Sequence, residues 1–316
     1  MMNGTLMAHA SETMAAGSKS FNAAAKLFDP ATRRSALMLY AWCRYCDDVI
    51  DDQHLGFSAT ARSDSALARL EMLKSETRRA FAGETMREPA FAAFQEVATR
   101  HAISPQLAFD HLEGFAMDVR ETRYDTLDDT LRYCYHVAGV VGLMMAQVMG
   151  VRDDAVLDRA CDLGLAFQLT NIARDIVEDA GTGRCYLPAR WLAEEGIDAS
   201  QLTDPAKRQH LARLAQRLVA HAEPYYASAR GGLHGLPLRS AWAIASAHGV
   251  YREIGMKVTA AGAHAWDTRQ GTRKGEKLAL VIKGGLAALS SRAGAMPARP
   301  SGLWQRPYLP HENGGR

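Results

Sequence analysis

From Ala31 to Glu88, and again from Gln106 to Leu187, the chain contains no proline, and its apolar residues recur at intervals of three and four rather than alternating. That period is helical. ALMLYAWC, Ala36 to Cys43, is an apolar and aromatic run on one such segment, and Leu165, Phe167, Leu169, Ile172 and Ile176 supply the apolar part of another. Loop chemistry gathers at Asp29-Pro30, Gly56 to Asp64, Gly83 to Pro89, Ser104-Pro105, Gly181 to Pro188, Thr203 to Pro205 and Gly231 to Pro237. The pattern predicts an all-α protein. Its longest uncharged run, Tyr133 to Val151, approaches the ~20 residues that span a bilayer. It holds His136, Gln147 and three glycines, so a buried central helix is predicted there.

Two acidic stripes interrupt this apolar order. CDDVIDD, Cys46 to Asp52, follows ALMLYAWC directly, and at ~100° per residue Tyr40, Arg44, Asp47 and Asp51 share one helix face, with Asp48 and Asp52 on its flank. Downstream, QLTNIARDIVED places Gln168, Asn171, Asp175 and Asp179 within roughly 80° of one another on an otherwise apolar helix. One acidic face alone reads more readily as solvated surface. Two matched DxxxD pairs, one of them behind two amides, point instead to a shared polar cavity. Carboxylates at i and i+4 stand about 5–6 Å apart at Cβ and are costly to leave unpaired in a low-dielectric pocket. Oxygen-only ligands favour Mg²⁺ or Mn²⁺, and Mg²⁺ is usually held by a few carboxylates together with water and substrate phosphates. A diphosphate bridged to the protein through metal ions fits this pattern. No GxxxxGK[ST] or GxGxxG loop is present, so a nucleotide is not predicted.

Composition narrows the partners. The chain has 316 residues, 47% of them hydrophobic, and its 37 basic and 35 acidic side chains nearly cancel, which gives no overall grip on nucleic acid. Cys43, Cys46, Cys134, Cys161 and Cys185 are odd in number and scattered, so no disulfide framework is expected and a reducing cytoplasm is the predicted setting. The lone CxxC of Cys43 and Cys46, and the unpaired His111 and His136, read as structural. The N-terminus lacks the basic start and apolar core of a signal peptide. Residues 1–268 read as one helical domain. Residues 269–316 read as a basic, proline-containing extension, part of it without fixed structure. Within it KLALVIKGGLAALSSR, Lys277 to Arg292, is a basic amphipathic segment that either packs on the body with a solvated face or rests on an anionic membrane as a peripheral contact.

At SKSF (Ser18 to Phe21), YAWCRYCDDVIDD (Tyr40 to Asp52), DDTLRYCYHVAGVVG (Asp128 to Gly142), QLTNIARDIVED and GRCYLP (Gly183 to Pro188) the sequence resembles the squalene/phytoene synthase family, in particular its bacterial members, over nearly the whole chain. The resemblance implies a single-domain, all-helical isoprenoid synthase fold of the class I terpenoid type with a central cavity. It implies Mg²⁺- or Mn²⁺-dependent head-to-head joining of two geranylgeranyl diphosphates through a cyclopropyl diphosphate to phytoene, without NADPH, and handoff of a water-insoluble product to a membrane or a downstream carotenoid enzyme. It marks Asp47, Asp51, Asp175 and Asp179 as metal-binding acids, Asn171 and Gln168 as their support, and Tyr133 as a residue near the reacting carbons. Tyr40, Arg44, Arg174, Arg184 and Tyr186 are implied as diphosphate contacts, and Ser18, Lys19 and Ser20 as a flap over the site. Within the same fold, a synthase acting on farnesyl diphosphate is the alternative, because pocket depth decides chain length. A class I terpene cyclase and a non-catalytic helical assembly protein fit less well, since Asp175 and Asp179 replace the cyclase Ser/Thr and Glu and the acidic stripes are intact.

Overall fold

The computed structural model describes residues 2–17, 19–51, 53–54, 57–58, 65–293 and 297–307. Its helices are α1 (Met2–Gly17), α2 (Lys19–Ala25), α3 (Pro30–Ile50), α4 (Ala66–Phe81), α5 (Pro89–His101), α6 (Pro105–Val119), α7 (Leu127–Cys134), α8 (Val140–Val148), α9 (Asp154–Gly181), α10 (Ala189–Glu194), α11 (Arg208–Gly231), α12 (Leu238–Ala261) and α13 (Lys274–Ser290). A two-residue antiparallel ladder pairs Gln53–His54 with Phe57–Ser58. The loop chemistry seen in the sequence starts several helices. Asp29 accepts from the backbone N–H groups of Ala31 and Thr32 at 3.0 Å each and so caps α3, with Pro30 at its first position. Glu88-Pro89 and Ser104-Pro105 open α5 and α6 in the same way.

The 28-residue α9 is the axis of the molecule, with α8, α11 and α12 packed around it. The predicted central helix is continuous but not uniform: α7 passes through a π turn, Tyr135–Gly139, into α8. α8 then runs antiparallel to α9 at very close range. A Cβ on Gly142 would stand 2.4 Å from the Ala160 carbonyl oxygen, and one on Gly164 only 2.3 Å from that of Ala138, so neither position admits a side chain. A second core region forms where Trp42 of α3 stacks on Phe94 of α5, ring centroids 4.1 Å apart. His111 and His136 each bond a backbone carbonyl, His136 and Asp110 respectively, across the α6 and π-turn contact. The thiols of Cys43 and Cys46 are free.

The described part of the 269–316 extension is bound to the body. Arg299 donates to both carboxylate oxygens of Asp162 (2.8 and 2.7 Å), a side chain with no solvent exposure on α9, while Arg306 reaches Asp158 and Asp154 at 2.6 Å each. The Trp304 ring lies against Tyr135, and its backbone N–H donates to Tyr225. Removing one partner of a buried ion pair leaves an uncompensated charge, at a cost of about 3–5 kcal/mol. Arg299→Ala is therefore expected to lower the thermal midpoint by several degrees, whereas Lys274→Ala on exposed surface leaves it unchanged; equal midpoints for Arg299→Ala and the parent would contradict this anchoring.

Candidate active site

One face of α9 borders an internal cavity of about 430 Å³ for most of the helix's length: Val156, Arg159, Ala160, Leu163, Gly164, Phe167, Gln168 and Asn171, a three-and-four spacing. The adjoining wall is one face of α7, the π turn and α8, from Tyr133 through Val137, Ala138, Val141, Gly142, Met145 and Ala146 to Met149. Because the two run antiparallel, Tyr133 lies level with the polar end of α9, and Met149 lies level with Val156. Leu236 joins these two at the far end. The cavity is therefore divided along its axis into an apolar shaft and a polar head. The small residues of the π turn and α8 divide between lining the cavity and packing on α9. Ala138, Gly142 and Ala146 line the shaft, whereas Gly139 packs tightly against Leu165 and Cys161 of α9.

The head draws on both stripes, though of their acids only Asp47 lines the cavity, and Asp51, Asp175 and Asp179 are set back from it. Tyr40, Arg44 and Asp47 on α3 line the cavity, together with Gln168 and Asn171 on α9 and Arg184 from the loop after α9. That loop turns at Gly183, whose φ of +81° lies in the left-handed region that favours glycine. Arg44 bridges Asp47 at 2.9 Å and Asp48 at 2.8 Å, Arg184 pairs with Asp51, and Arg174 holds Asp175 (Nε to Oδ1, 2.8 Å). In this arrangement guanidinium groups balance much of the acidic charge. Among the described residues, no group of three histidine, cysteine or acidic side chains is set to hold a metal ion. Ser18, the side chains of Lys19 and Ser20, and Asp52 lie outside the described residues.

The balance is incomplete. Burial, with Asp51 close by, pushes the Asp47 carboxyl up to about 7, and burial with Asp175 pushes Asp179 up to about 7. Asp47 nevertheless presents 40% of its side-chain surface, because the protein surrounds it while it faces open cavity. The Asn171 carbonyl oxygen is buried without a hydrogen-bond partner; its amide points to Gln168 at 3.4 Å. Two strained carboxyls and an orphaned oxygen donor form a hard-oxygen set with room for added positive charge, so these residues fit a divalent cation. Burial also pushes the Tyr40 hydroxyl up to about 12, which keeps it a neutral donor.

Three contacts lie beyond the sequence reading. Asp118 on α6 accepts from Tyr133 (3.2 Å) and Tyr186 (3.1 Å), whose rings stack at 4.5 Å, and burial pushes its carboxyl up to about 6. Tyr186 thus belongs with Tyr133 and Asp118 in a cluster beside the head. Arg269, at the start of the extension, donates to Asp175 at 3.0 Å and to Glu178 at 2.6 Å. Tyr251 of α12 stacks on Phe167 at 4.2 Å and closes the wall above the shaft. Nothing in EGFAMDVR, Glu113 to Arg120, marks Asp118, because its partners are distant in sequence.

The raised Asp47 carboxyl has a definite sign. Its folded value near 7 lies above the ordinary carboxylate range, so the folded state holds a proton that the unfolded chain has lost, and the group favours folding increasingly as pH falls from about 8 towards 4. In a chelator, Asp47→Asn should raise the thermal midpoint at pH 8, by no more than about 2 °C because solvent screens the 40% exposed carboxyl, with the gain shrinking towards pH 5. A variant less stable than the parent at pH 8 would contradict the charge strain.

The sequence model of the squalene/phytoene synthase family matches residues 14–276. The chain is 66% identical over 308 residues to a 15-cis-phytoene synthase of Pantoea ananas, covering 97% of this chain and all of that protein. It is 67% identical over 295 residues to one of Enterobacter agglomerans, covering 93% of this chain and all of the other. Among solved structures, a dehydrosqualene synthase superposes with a TM-score of 0.81 at 27% identity, covering 91% of this chain and 98% of that one. The squalene synthase HpnC of Alicyclobacillus acidocaldarius superposes at 0.68 and 24% identity, over 83% and 97%, and speaks for the fold alone. With its paired acidic stripes at the head of one helical cavity, the chain belongs to the squalene/phytoene synthase family.

Proposed function

We propose that the protein joins two molecules of geranylgeranyl diphosphate head to head, through a cyclopropyl diphosphate, to give phytoene and two diphosphates in carotenoid biosynthesis. The observation that carries this reading is the axial division of the cavity, Asp47, Arg44 and Arg184 at one end and a shaft below them that is apolar except for Arg159, whose guanidinium is turned to the Ser228 and Pro297 carbonyls. The names of the relatives at 66% and 67% identity support the same reaction.

Ionisation of an allylic diphosphate separates a carbocation from an anionic leaving group, and stabilising that departing charge is the main demand on the protein. Arg44, Arg184 and the neutral Tyr40 hydroxyl lie where the diphosphate would sit. Arg174 and Arg269 hold Asp175 from behind. A divalent cation, Mg²⁺ or Mn²⁺, held by Asp47, Asp51, Asn171, Asp175 and Asp179 would supply further positive charge to the leaving group. Phe167, Val137, Val141 and Leu163 keep water from the cation formed below. The Tyr133 ring, set on the cavity wall by its bond to Asp118, offers a π face to positive charge at the reacting carbons. Loss of a proton ends the sequence, so no hydride donor is required.

The length of the shaft favours a twenty-carbon chain over a fifteen-carbon one. Asn171 and Val156 are separated along α9 by about 22 Å at 1.5 Å per residue. An extended chain of bonds advances about 1.2 Å per bond, as three backbone bonds spanning 3.3–3.6 Å imply. The sixteen-carbon backbone of a geranylgeranyl group is then about 18 Å long and the twelve-carbon backbone of a farnesyl group about 13 Å. Only the longer chain would reach the floor at Met149, Val156 and Leu236. Val156→Phe should therefore lower kcat/KM for geranylgeranyl diphosphate by about tenfold or more while sparing farnesyl diphosphate, as added bulk at a pocket floor does. Equal losses for both substrates in a variant of unchanged helical circular dichroism would count against the twenty-carbon assignment.

A further inference from the structure

α13 packs against the body in the reverse of the usual sense. Its small residues face inward: Gly284 sits so close to Ser246 of α12 that a Cβ would stand 2.6 Å from the hydroxyl, Ala288 is fully buried, and Gly285 lies under the Trp242 ring. Leu280 packs inward against Gly249 of α12, but four other large aliphatic residues face outward. Leu278, Ile282, Leu286 and Leu289 are between 57 and 63% exposed and fall within about 80° of one another around the helix. Trp242 of α12, whose indole N–H donates to the Val281 carbonyl at 2.7 Å, extends the apolar strip sideways. A helix that served only to cover the body would bury its leucines and expose its glycines.

The unpaired charges that α13 itself places beside the strip are of one sign, although Glu253 and Arg252 of α12 share a groove with Lys283. Lys274 and Lys283 are exposed on its two flanks. The only acid of α13, Glu276, is engaged with Lys257 at 2.5 Å and with the backbone N–H of Arg273 at 2.7 Å. Among the described residues no carboxylate pairs with Lys274 or Lys283. A second copy of the chain docked through this face would bring lysines against lysines, whereas an anionic lipid surface offers acyl chains to the leucines and negative headgroups to the flanks. We propose that the outer face of α13, with Trp242, is a membrane-docking surface that lies flat on anionic lipid.

Its position gives docking a use. α12 separates α13 from the cavity, turning Ala243, Ala247 and Tyr251 to the shaft and Ser246 and Gly249 to α13. Two packed helices, α12 and α13, their axes about 8–10 Å apart, thus stand between the cavity and the bilayer. The surface is read from exposure and charge, so it stands apart from the identity of the reaction.

The test is co-sedimentation of the full chain with vesicles of phosphatidylcholine alone and of phosphatidylcholine with phosphatidylglycerol, at low and high salt. The parent should bind the phosphatidylglycerol vesicles and release them partly in salt. Ile282→Asp with Leu286→Asp should weaken binding by about tenfold or more, and Lys274→Gln with Lys283→Gln should remove the preference for anionic lipid. Because these side chains point outward, helical circular dichroism and thermal midpoint should not change; Leu278→Ser with Leu289→Ser provides a milder second pair. Undiminished binding by both apolar pairs would overturn the proposal. So would absence of binding by the parent, or a parent dimer in sedimentation velocity that the Ile282 and Leu286 changes dissociate.

Discussion

Several carboxylates clustered at the head of a largely apolar cavity repel one another, and the molecule is arranged around that constraint. Arg44, Arg174, Arg184 and Arg269 are drawn to the cluster from four different segments, yet Asp47 and Asp179 remain pushed up to about 7 and the Asn171 oxygen remains unpartnered. The site thus stays short of positive charge after its own cations have been spent. Such a site is prepared for a ligand that brings more, which is what a metal diphosphate does. Strain at the head is tolerated because the rest of the chain is tightly packed, down to glycine contacts between α8 and α9 that leave no room for a methyl group.

The axis of α9 joins this electrostatic requirement to a steric one. The same helix face that ends in Asn171 begins at Val156, so one continuous element sets both where charge is handled and how far a prenyl chain can extend. The buried clamp of Arg299 and Arg306 on Asp162, Asp158 and Asp154 fastens the extension to the lower half of this helix. Further back along the chain, Arg269 reaches its upper half at Asp175. Both ends of the axis are therefore tied to the C-terminal segment.

Much of the head was legible in the sequence because its signal is local. Helical period places Tyr40, Arg44 and Asp47 on one face, as the structure does; of the stripe that the same arithmetic picks out downstream, Gln168 and Asn171 line the cavity and Asp175 and Asp179 do not. The all-helical fold follows from the same periodicity. What escaped depends on long-range pairing. Asp118 gains its place from Tyr133 and Tyr186, the latter 68 positions away, and Asp162 finds Arg299 at a separation of 137. Among the small residues of the π turn and α8, long-range contacts assign Gly139 to packing and Ala138 and Ala146 to lining. For α13 the sequence shows an amphipathic pattern but cannot say which side meets the body; the close approach of Gly284 to Ser246 decides it.

The central claim is that this head and shaft couple two twenty-carbon diphosphates without reduction. Incubation of the purified protein with geranylgeranyl diphosphate and Mg²⁺, without NADPH, followed by mass and ultraviolet analysis of the organic extract, tests it most directly. A C40 hydrocarbon with a conjugated triene is the predicted product. No C40 hydrocarbon, with a C30 product appearing only from farnesyl diphosphate, would leave the fold and the charged head in place and contradict the account of what the shaft holds.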